Sequence, residues 1–286
     1  MSTPHATTGW VVALAATVLL TACTTSEPGS GSAGSSGTGS ASPSSTTGAP
    51  RALAIYYVAE TAVGPRLYRE FHSVPATADN ASDAVRELLA RPTGTDPDYR
   101  SSWPAGTELR NPVVHEAGVI TVDLSAKALT AQVGSALAEL TVQQLVYTVQ
   151  AALQNTDPVR ILVDGKPVPE LWGHVSTSEP VRRADPYQTR SLVQIDEPAP
   201  GAQVGRIVQV KGEAAAFEAT VPWQVLRDGQ VVQSGFATSL EGQRFAAFSF
   251  TVTLEPGQYV LQLVEDDPSG GAGRPPFTDT KTINVV

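Results

Sequence analysis

The chain contains a single cysteine, Cys23, and its surroundings restrict how the protein can be built. No disulfide can form within one chain, so any folded part must be held together by packing alone. An apolar run from Trp10 to Leu20 precedes the cysteine. Residues 24–50, which follow it, are Ser, Gly, Thr, Ala and Pro with Glu27 as the single charge. Such a stretch cannot bury enough apolar surface to offset its ordering entropy, so we expect a disordered tether over 23–50.

The segment before Cys23 predicts that the protein is attached to a membrane. Its apolar run of eleven residues has the length of a signal-peptide core and is far short of the ~20 residues that a membrane-spanning helix needs. With Leu20, Thr21 and Ala22 before Cys23, the segment resembles the lipobox of bacterial lipoproteins. The resemblance implies that residues 1–22 are a signal peptide and that the Cys23 thiol carries a diacylglycerol group. We therefore expect an extracytoplasmic protein that is lipid-anchored to the cell membrane.

The charge of the chain excludes some partners. Its 286 residues carry a formal net charge of −9, and the pI is near 4.9. Binding to nucleic acid requires a basic face, so we expect no nucleic-acid partner. An acidic surface is not attracted to anionic lipid either, so residence at the membrane would depend on the lipid at Cys23.

Strand and helix patterns alternate after the predicted tether. Two strands are predicted at 52–58 and 66–74, followed by a helix from Asp79 to Ala90 with Asn80 or Ser82 as its cap. A strand pair is predicted at 108–114 and 119–124, joined through Gly118. A single apolar stripe then predicts a second helix, and its members are Val142, Leu145, Val146, Val149, Ala152 and Leu153.

A last strand at 159–163, closed by a turn at Asp164-Gly165, completes the order β-β-α-β-β-α-β. This order predicts an α+β domain over residues 51–176, with helices layered on a small sheet. Residues 177–190 are rich in Pro and charge and are predicted to be a linker.

Only strand patterns follow from residue 191 to residue 286. The turns recur about every ten residues, and the predicted strands are 192–195, 206–213, 219–227, 230–238, 245–254, 258–265 and 279–286. Asp228-Gly229 between two of them is the strongest hairpin signal in the chain. About seven short strands with regular turns indicate an all-β immunoglobulin-like sandwich.

Both predicted domains resemble known modules. Residues of about 52–176 resemble the GerMN domain, a sporulation and germination module, through the segments 84–89 (AVRELL), 104–109 (PAGTEL), 118–125 (GVITVDLS), 144–149 (QLVYTV) and 163–168 (VDGKPV). Residues of about 192–284 resemble the immunoglobulin-like domain of bacterial spore germination, through 198–201 (PAPG), 210–214 (VKGEA), 217–221 (FEATV) and 256–259 (PGQY). The resemblance implies an envelope lipoprotein that takes part in protein assembly, and it supplies no catalytic or metal-binding residue.

Few residues of the chain fit a known catalytic or metal-binding pattern. His72 and His115 are isolated on predicted strands, and no zinc-binding spacing or serine-nucleophile motif occurs. We therefore expect no catalytic, cofactor-binding or metal-binding residue, no cofactor, and no enzyme activity. Two alternatives stay open: a calcium site at Glu265-Asp266-Asp267, against a solvated acidic loop, and a sugar platform, against ordinary packing, made by Trp103, Trp172, Trp223 and Tyr56-Tyr57.

The sequence thus predicts a non-enzymatic lipoprotein that acts as a protein-association module at the cell envelope. One partner is the membrane, reached through Cys23, and the protein partner is not identified by the sequence. The alternative is a module that binds peptidoglycan or another polysaccharide.

Overall fold

The computed structural model describes residues 48–270 and 272–286. Cys23 and the lipobox residues Leu20, Thr21 and Ala22 lie outside the described residues, so their roles stay predictions. All described residues fall within one compact unit, residues 46–286.

The first part of the unit has the predicted order of elements. Its strands and helices are β1 (Gly48–Ala59), β2 (Arg66–Ala76), α1 (Asn80–Ala90), β3 (Val114–Glu116), β4 (Val119–Leu124), α2 (Ser135–Leu153), β5 (Val159–Val163), β6 (Lys166–Pro167), β7 (Glu170–Leu171), β8 (Val175–Ser176) and the single-turn α3 (Pro186–Thr189). A short 3-10 helix, Ala126–Thr130, precedes α2. The α+β class is confirmed.

The strands of this part do not form the one sheet that we predict. The long strands β1 and β2 form one sheet. A second sheet has the order β3-β4-β5-β6, in which β4 and β5 are parallel, and β7 and β8 form a third. Helices α1 and α2 pack on β1 and on each other. This packing buries Ile55, Tyr57, Leu88 and Leu145 in a common core.

Two local predictions in this part are wrong. The cap of α1 is Asp79, whose Oδ1 accepts a hydrogen bond from Ser82 N at 2.9 Å; the cap is neither Asn80 nor Ser82. The strand predicted at 108–114 contributes only its last residue to β3, and Leu109 forms an isolated bridge to Leu124. The physical reason is Pro112, which has no N–H to give to a continuous ladder.

The second part of the unit is the predicted sandwich. Its strands are β9 (Val193–Glu197), β10 (Gln203–Val204), β11 (Ile207–Ala214), β12 (Thr220–Arg227), β13 (Gln230–Thr238), β14 (Ala246–Thr253), β15 (Gly257–Val264) and β16 (Thr278–Val285). One sheet has the order β14-β11-β9 and the other β10-β16-β15-β12-β13. The hairpin turn at Asp228-Gly229 is confirmed, with φ of 52° and 77°, as a hairpin of two central residues requires.

The core of the sandwich is apolar, as expected for a domain without disulfides. Trp223 stacks on Phe250, with ring centroids 4.8 Å apart. Gly235 lies opposite Trp223 in the β12–β13 pair, and a Cβ at this position would lie 2.5 Å from the indole ring. Only glycine therefore lets the indole ring cover the neighbouring strand.

The stretch for which we predict a linker, 177–190, lies along the first domain. Val181 forms a two-hydrogen-bond bridge with Val159, and Tyr147 donates its hydroxyl proton to the Ala184 carbonyl at 2.8 Å. Arg190, at its end, is 4% exposed. The path between the two domains is thus fixed by backbone pairing and by burial.

Candidate functional site

The residue Lys281 on β16 is 2% exposed, so its charged ammonium is buried. Its Nζ lies 2.6 Å from Asp96 Oδ2 and 3.5 Å from Asp279 Oδ1. It also donates to the Tyr99 hydroxyl at 2.9 Å and lies 4.1 Å from the centre of that ring. Asp96 and Tyr99 belong to the loop after α1, so this buried cation joins the two domains.

Asp279, on the same strand, completes the cluster. Its carboxylate accepts from Ile195 N at 2.6 Å and from the Tyr99 hydroxyl at 3.0 Å. Burial raises the pKa of Asp279 against the opposing effect of the Lys281 charge, and burial raises the pKa of Tyr99 well above its ordinary value. Tyr99 is therefore a neutral donor, and the polar atoms of the cluster are directed at one another instead of at solvent.

A second polar group supports the loop that carries Asp96. Glu70 on β2 accepts from the backbone N–H groups of Thr95 and Asp96 at 2.8 and 2.7 Å. The His72 ring lies between two carboxylates, with Nε2 2.9 Å from Glu70 and Nδ1 2.8 Å from Glu87 on α1. Burial alone would lower the pKa of His72, but these two carboxylates raise it. Burial would raise the pKa of Glu70, but His72 and the two amides lower it.

Another contact between the domains is made by Arg69 on β2. Its guanidinium forms a two-point contact with Asp196 at 2.7 and 3.2 Å, and its backbone N–H donates to the Gln194 side chain at 3.1 Å. Burial would lower the pKa of Arg69, but Asp196 and Glu213 raise it. Arg190 also pairs with Glu213 and lies 4.1 Å from the Phe245 ring centre. The two domains therefore meet through several ion pairs, mostly shielded from water.

The aromatic residues considered as a sugar platform are packing residues. Trp103 is 5% exposed and contacts Trp172 edge to face, with centroids 5.2 Å apart. The Trp172 Nε1 donates to the Ala128 carbonyl at 2.8 Å, and Tyr56 and Tyr57 are buried on opposite faces of β1. The packing interpretation is confirmed.

The remaining candidate residues have ordinary partners. His115 is not isolated, because its Nε2 lies 2.7 Å from the Asp157 carboxylate. Glu265 of the acidic loop receives both terminal nitrogens of Arg274 at 2.7 Å. Within residues 48–270 and 272–286, no group of three or more His, Cys, Asp or Glu side chains is arranged to hold a metal ion.

Sequence reasoning missed Lys281, Asp279 and Asp96, although one signal was available. Asp279 and Lys281 alternate in step with Ile283 and Val285, which face the core of the sandwich. Two charges on the apolar face of a strand predict a buried pair. No comparable signal marks Asp96, which lies 185 positions from Lys281.

The surface of the sandwich exposes several large apolar side chains. The most exposed are Leu240 at 83%, Phe236 at 74% and Ile207 at 74%. Phe236 lies on β13, which is an edge strand of the five-stranded sheet. None of the helices in the described part of the chain is both long and apolar enough to cross a membrane.

Comparison with solved structures returns likenesses below 25% identity. The tandem GerMN domains of the sporulation protein GerM from Bacillus subtilis are 20% identical over 51% of this chain and 49% of theirs, with a TM-score of 0.40. A putative lipoprotein from Clostridium perfringens is 17% identical over 50% of this chain and 93% of its own, with a TM-score of 0.34. The fibronectin(III)-like modules of Clostridium thermocellum CbhA are 13% identical over 32% of this chain and 93% of their own, with a TM-score of 0.24. The chain thus spans about half the length of the GerM structure.

No curated protein matches the chain in sequence. Two family models do match, and neither family is a known enzyme family. The Germane model, described as sporulation and spore germination, matches residues 54–169, and the model of the immunoglobulin-like domain of bacterial spore germination matches residues 192–272. The chain therefore carries a GerMN-type domain of the sporulation and spore germination family, followed by an immunoglobulin-like domain of the bacterial spore germination family.

Proposed function

We propose that this protein is a non-enzymatic association module that presents two joined domains to a protein partner at the outside of the cell membrane. One observation carries the proposal: the buried charged groups are used to fix the domains to each other. Lys281 with Asp96 and Arg69 with Asp196 bridge the domains at 2.6 and 2.7 Å. A pair of domains that is held in one orientation suits a scaffold, because a partner that contacts both does not first have to order them.

The edge strand β13 supports protein association. None of its nine residues is charged, and Val231, Val232 and Phe236 are 51, 53 and 74% exposed. Edge strands are usually protected by charge or proline, and an unprotected edge can accept a strand from another chain. The register of the β12–β13 pair shifts between Val225 and Leu226. On the other side of this shift, residues 233–238 of β13 pair regularly with β12. We place the docking of a partner strand along 233–238.

A substitution on this edge tests the partner interface. Phe236→Lys puts a charge on β13, and Ile207→Lys is the matched control because Ile207 is equally exposed, at 74%, but lies at the start of β11 in the other sheet. We expect Phe236→Lys to reduce recovery of a cross-linked protein partner at least about tenfold, the effect of ~1.4 kcal/mol. Equal loss from both variants, or from neither, contradicts docking at this edge.

The lipid anchor at Cys23 is the other part of the proposal. Its support is the apolar run, the lipobox residues 20–22 and the low-complexity stretch that follows. Cells that express the full chain are grown with labelled fatty acid, and wild type is compared with Cys23→Ala. We expect label in the wild type alone. A wild-type chain without label would contradict lipid attachment at Cys23.

The alternative function, binding to peptidoglycan or another polysaccharide, has a separate test. The tryptophans that were its candidates are used in packing, Trp103 and Trp172 with each other and Trp223 with Phe250. Residues 46–286 are incubated with insoluble peptidoglycan and sedimented. We expect no saturable retention, and saturable retention would favour the alternative.

A further inference from the structure

The ring of His72 is in contact with two acceptors at once. Its Nδ1 lies 2.8 Å from Glu87 Oε1, and its Nε2 lies 2.9 Å from Glu70 Oε2. An ionised carboxylate only accepts hydrogen bonds, and a neutral imidazole has a single N–H. Only the doubly protonated imidazolium can donate to both carboxylates. The geometry therefore requires a proton on both ring nitrogens. A free histidine, with a pKa of ~6.5, largely lacks the second proton at neutral pH.

The groups around the ring favour this charge. The ring is 6% exposed, and Tyr57 on β1 stacks on it with centroids 5.7 Å apart. Burial raises the pKa of Tyr57, so this neighbour is neutral. Arg91, the C-cap residue of α1, is the nearby cation, and it is already paired with Glu87. The imidazolium thus joins β2, through Glu70, to α1, through Glu87.

The same Glu70 carboxylate connects this group to the contact between the domains. It holds the N–H groups of Thr95 and Asp96, and Asp96 in turn pairs with Lys281 at 2.6 Å. The loop lies so close that a Cβ at Gly94 would be 2.7 Å from Glu70 Oε2. A continuous series of polar contacts therefore runs from α1 through His72 to the second domain.

We infer that His72 is a pH-sensitive clamp: its imidazolium fixes Glu70 under the loop that carries Asp96, and loss of the proton loosens that loop and the contact with Lys281. Either neutral tautomer would leave one carboxylate oxygen against a ring lone pair, that of Glu87 on α1 in one case and that of Glu70 in the other, so the series of contacts from α1 to the loop is broken at one point in both cases.

The direction of the pH effect follows from linkage. Folding raises the pKa of His72 above its unfolded value of ~6.5. The stabilisation by the clamp is therefore complete below about pH 6.5 and is lost as the pH rises through the raised pKa of the folded protein. The clamp is closed in mildly acidic surroundings and open in alkaline ones.

Nitrogen NMR of residues 46–286 tests the protonation state. We expect both ring nitrogens of His72 to be protonated at neutral pH, with a titration midpoint above the ~6.5 of a free histidine. A model peptide with one histidine, recorded under the same conditions, is the control. A His72 ring with one unprotonated nitrogen at neutral pH, or with a midpoint at or below that of the peptide, overturns the inference.

Amide hydrogen exchange tests the mechanical link. With intrinsic exchange rates corrected for pH, protection of the Thr95 and Asp96 amides is expected to fall at least about tenfold through the His72 midpoint, the equivalent of one pKa unit. In His72→Gln this pH dependence should disappear. In Glu87→Gln the midpoint should move to lower pH, because the glutamine amide can donate to the bare ring nitrogen. Protection that stays constant through the midpoint in wild type, or an unchanged pH dependence in both variants, refutes the clamp.

Discussion

Replacement of Lys281 by methionine tests the buried contact between the domains. The substitution keeps an unbranched apolar side chain that is one atom shorter, and it removes the ammonium. Asp279 would keep its donors Ile195 N, Thr280 N and the Tyr99 hydroxyl, whereas Asp96 would keep only Asp98 N. The destabilisation therefore arises chiefly at Asp96, a carboxylate that is 3% exposed.

The size of the effect follows from burial. Removal of one partner from a buried ion pair costs about 3–5 kcal/mol, because the other charge stays buried. Lys211 supplies a matched control, since its Nζ lies 2.7 Å from Glu197 but the two side chains are 46 and 60% exposed. Lys211→Met should cost roughly 0–1 kcal/mol. The two ion pairs have nearly the same N–O distance and differ in burial, so the comparison of the two variants isolates the effect of burial.

Urea unfolding of residues 46–286, followed by circular dichroism and tryptophan fluorescence, measures these free energies. Trp103 and Trp172 report on the first core and Trp223 on the second. A second substitution, Asp96→Asn, should recover about 2 kcal/mol of the loss in Lys281→Met, because it removes the unpaired charge. The reasoning is refuted if Lys281→Met costs no more than Lys211→Met.

Two further substitutions probe local structure with the same unfolding assay. Gly212→Ala would place a Cβ 2.1 Å from the Gln194 carbonyl oxygen and should cost about 1–3 kcal/mol, whereas Gly205→Ala, with no atom within 4 Å, should change the free energy by less than about 0.5 kcal/mol. Asp79→Ala removes the cap of α1 and should cost about 1 kcal/mol, and Asn80→Ala should cost less than half of that. A larger loss of stability at Gly205 than at Gly212 would contradict the close contact at Gly212. A larger loss at Asn80 than at Asp79 would contradict Asp79 as the cap.

The sequence predicts the strands of the sandwich well, because their regular alternation and turn residues are local signals. The hairpin at Asp228-Gly229 is an example, since a turn of two residues with positive φ needs residues of this type. The α+β order is predicted for the same reason. The predicted caps Asn80 and Ser82 are wrong because Asp79, Asn80 and Ser82 are all of residue types that can cap a helix, and the sequence does not distinguish them.

The contact between the domains could be predicted only in part. Alternation along β16 marks Asp279 and Lys281 as inward-facing charges, but their partners Asp96 and Tyr99 come from a loop far away in the chain. The division of the first domain into three sheets is also a tertiary result, since nothing local in the sequence shows that β1 and β2 form a sheet apart from β3 to β6. The linker prediction rested on composition, and composition does not reveal that Val181 pairs with Val159.

Photo-cross-linking in living cells shows whether the protein binds a protein partner at the membrane surface. A photoreactive amino acid is placed at Phe236, or at Ile207 as the equally exposed control, in the full chain with Cys23 intact. We expect a discrete protein adduct from position 236, little from position 207, and loss of the 236 adduct in Cys23→Ala. The absence of any protein adduct from position 236 in membrane-bound chain would contradict the proposed association.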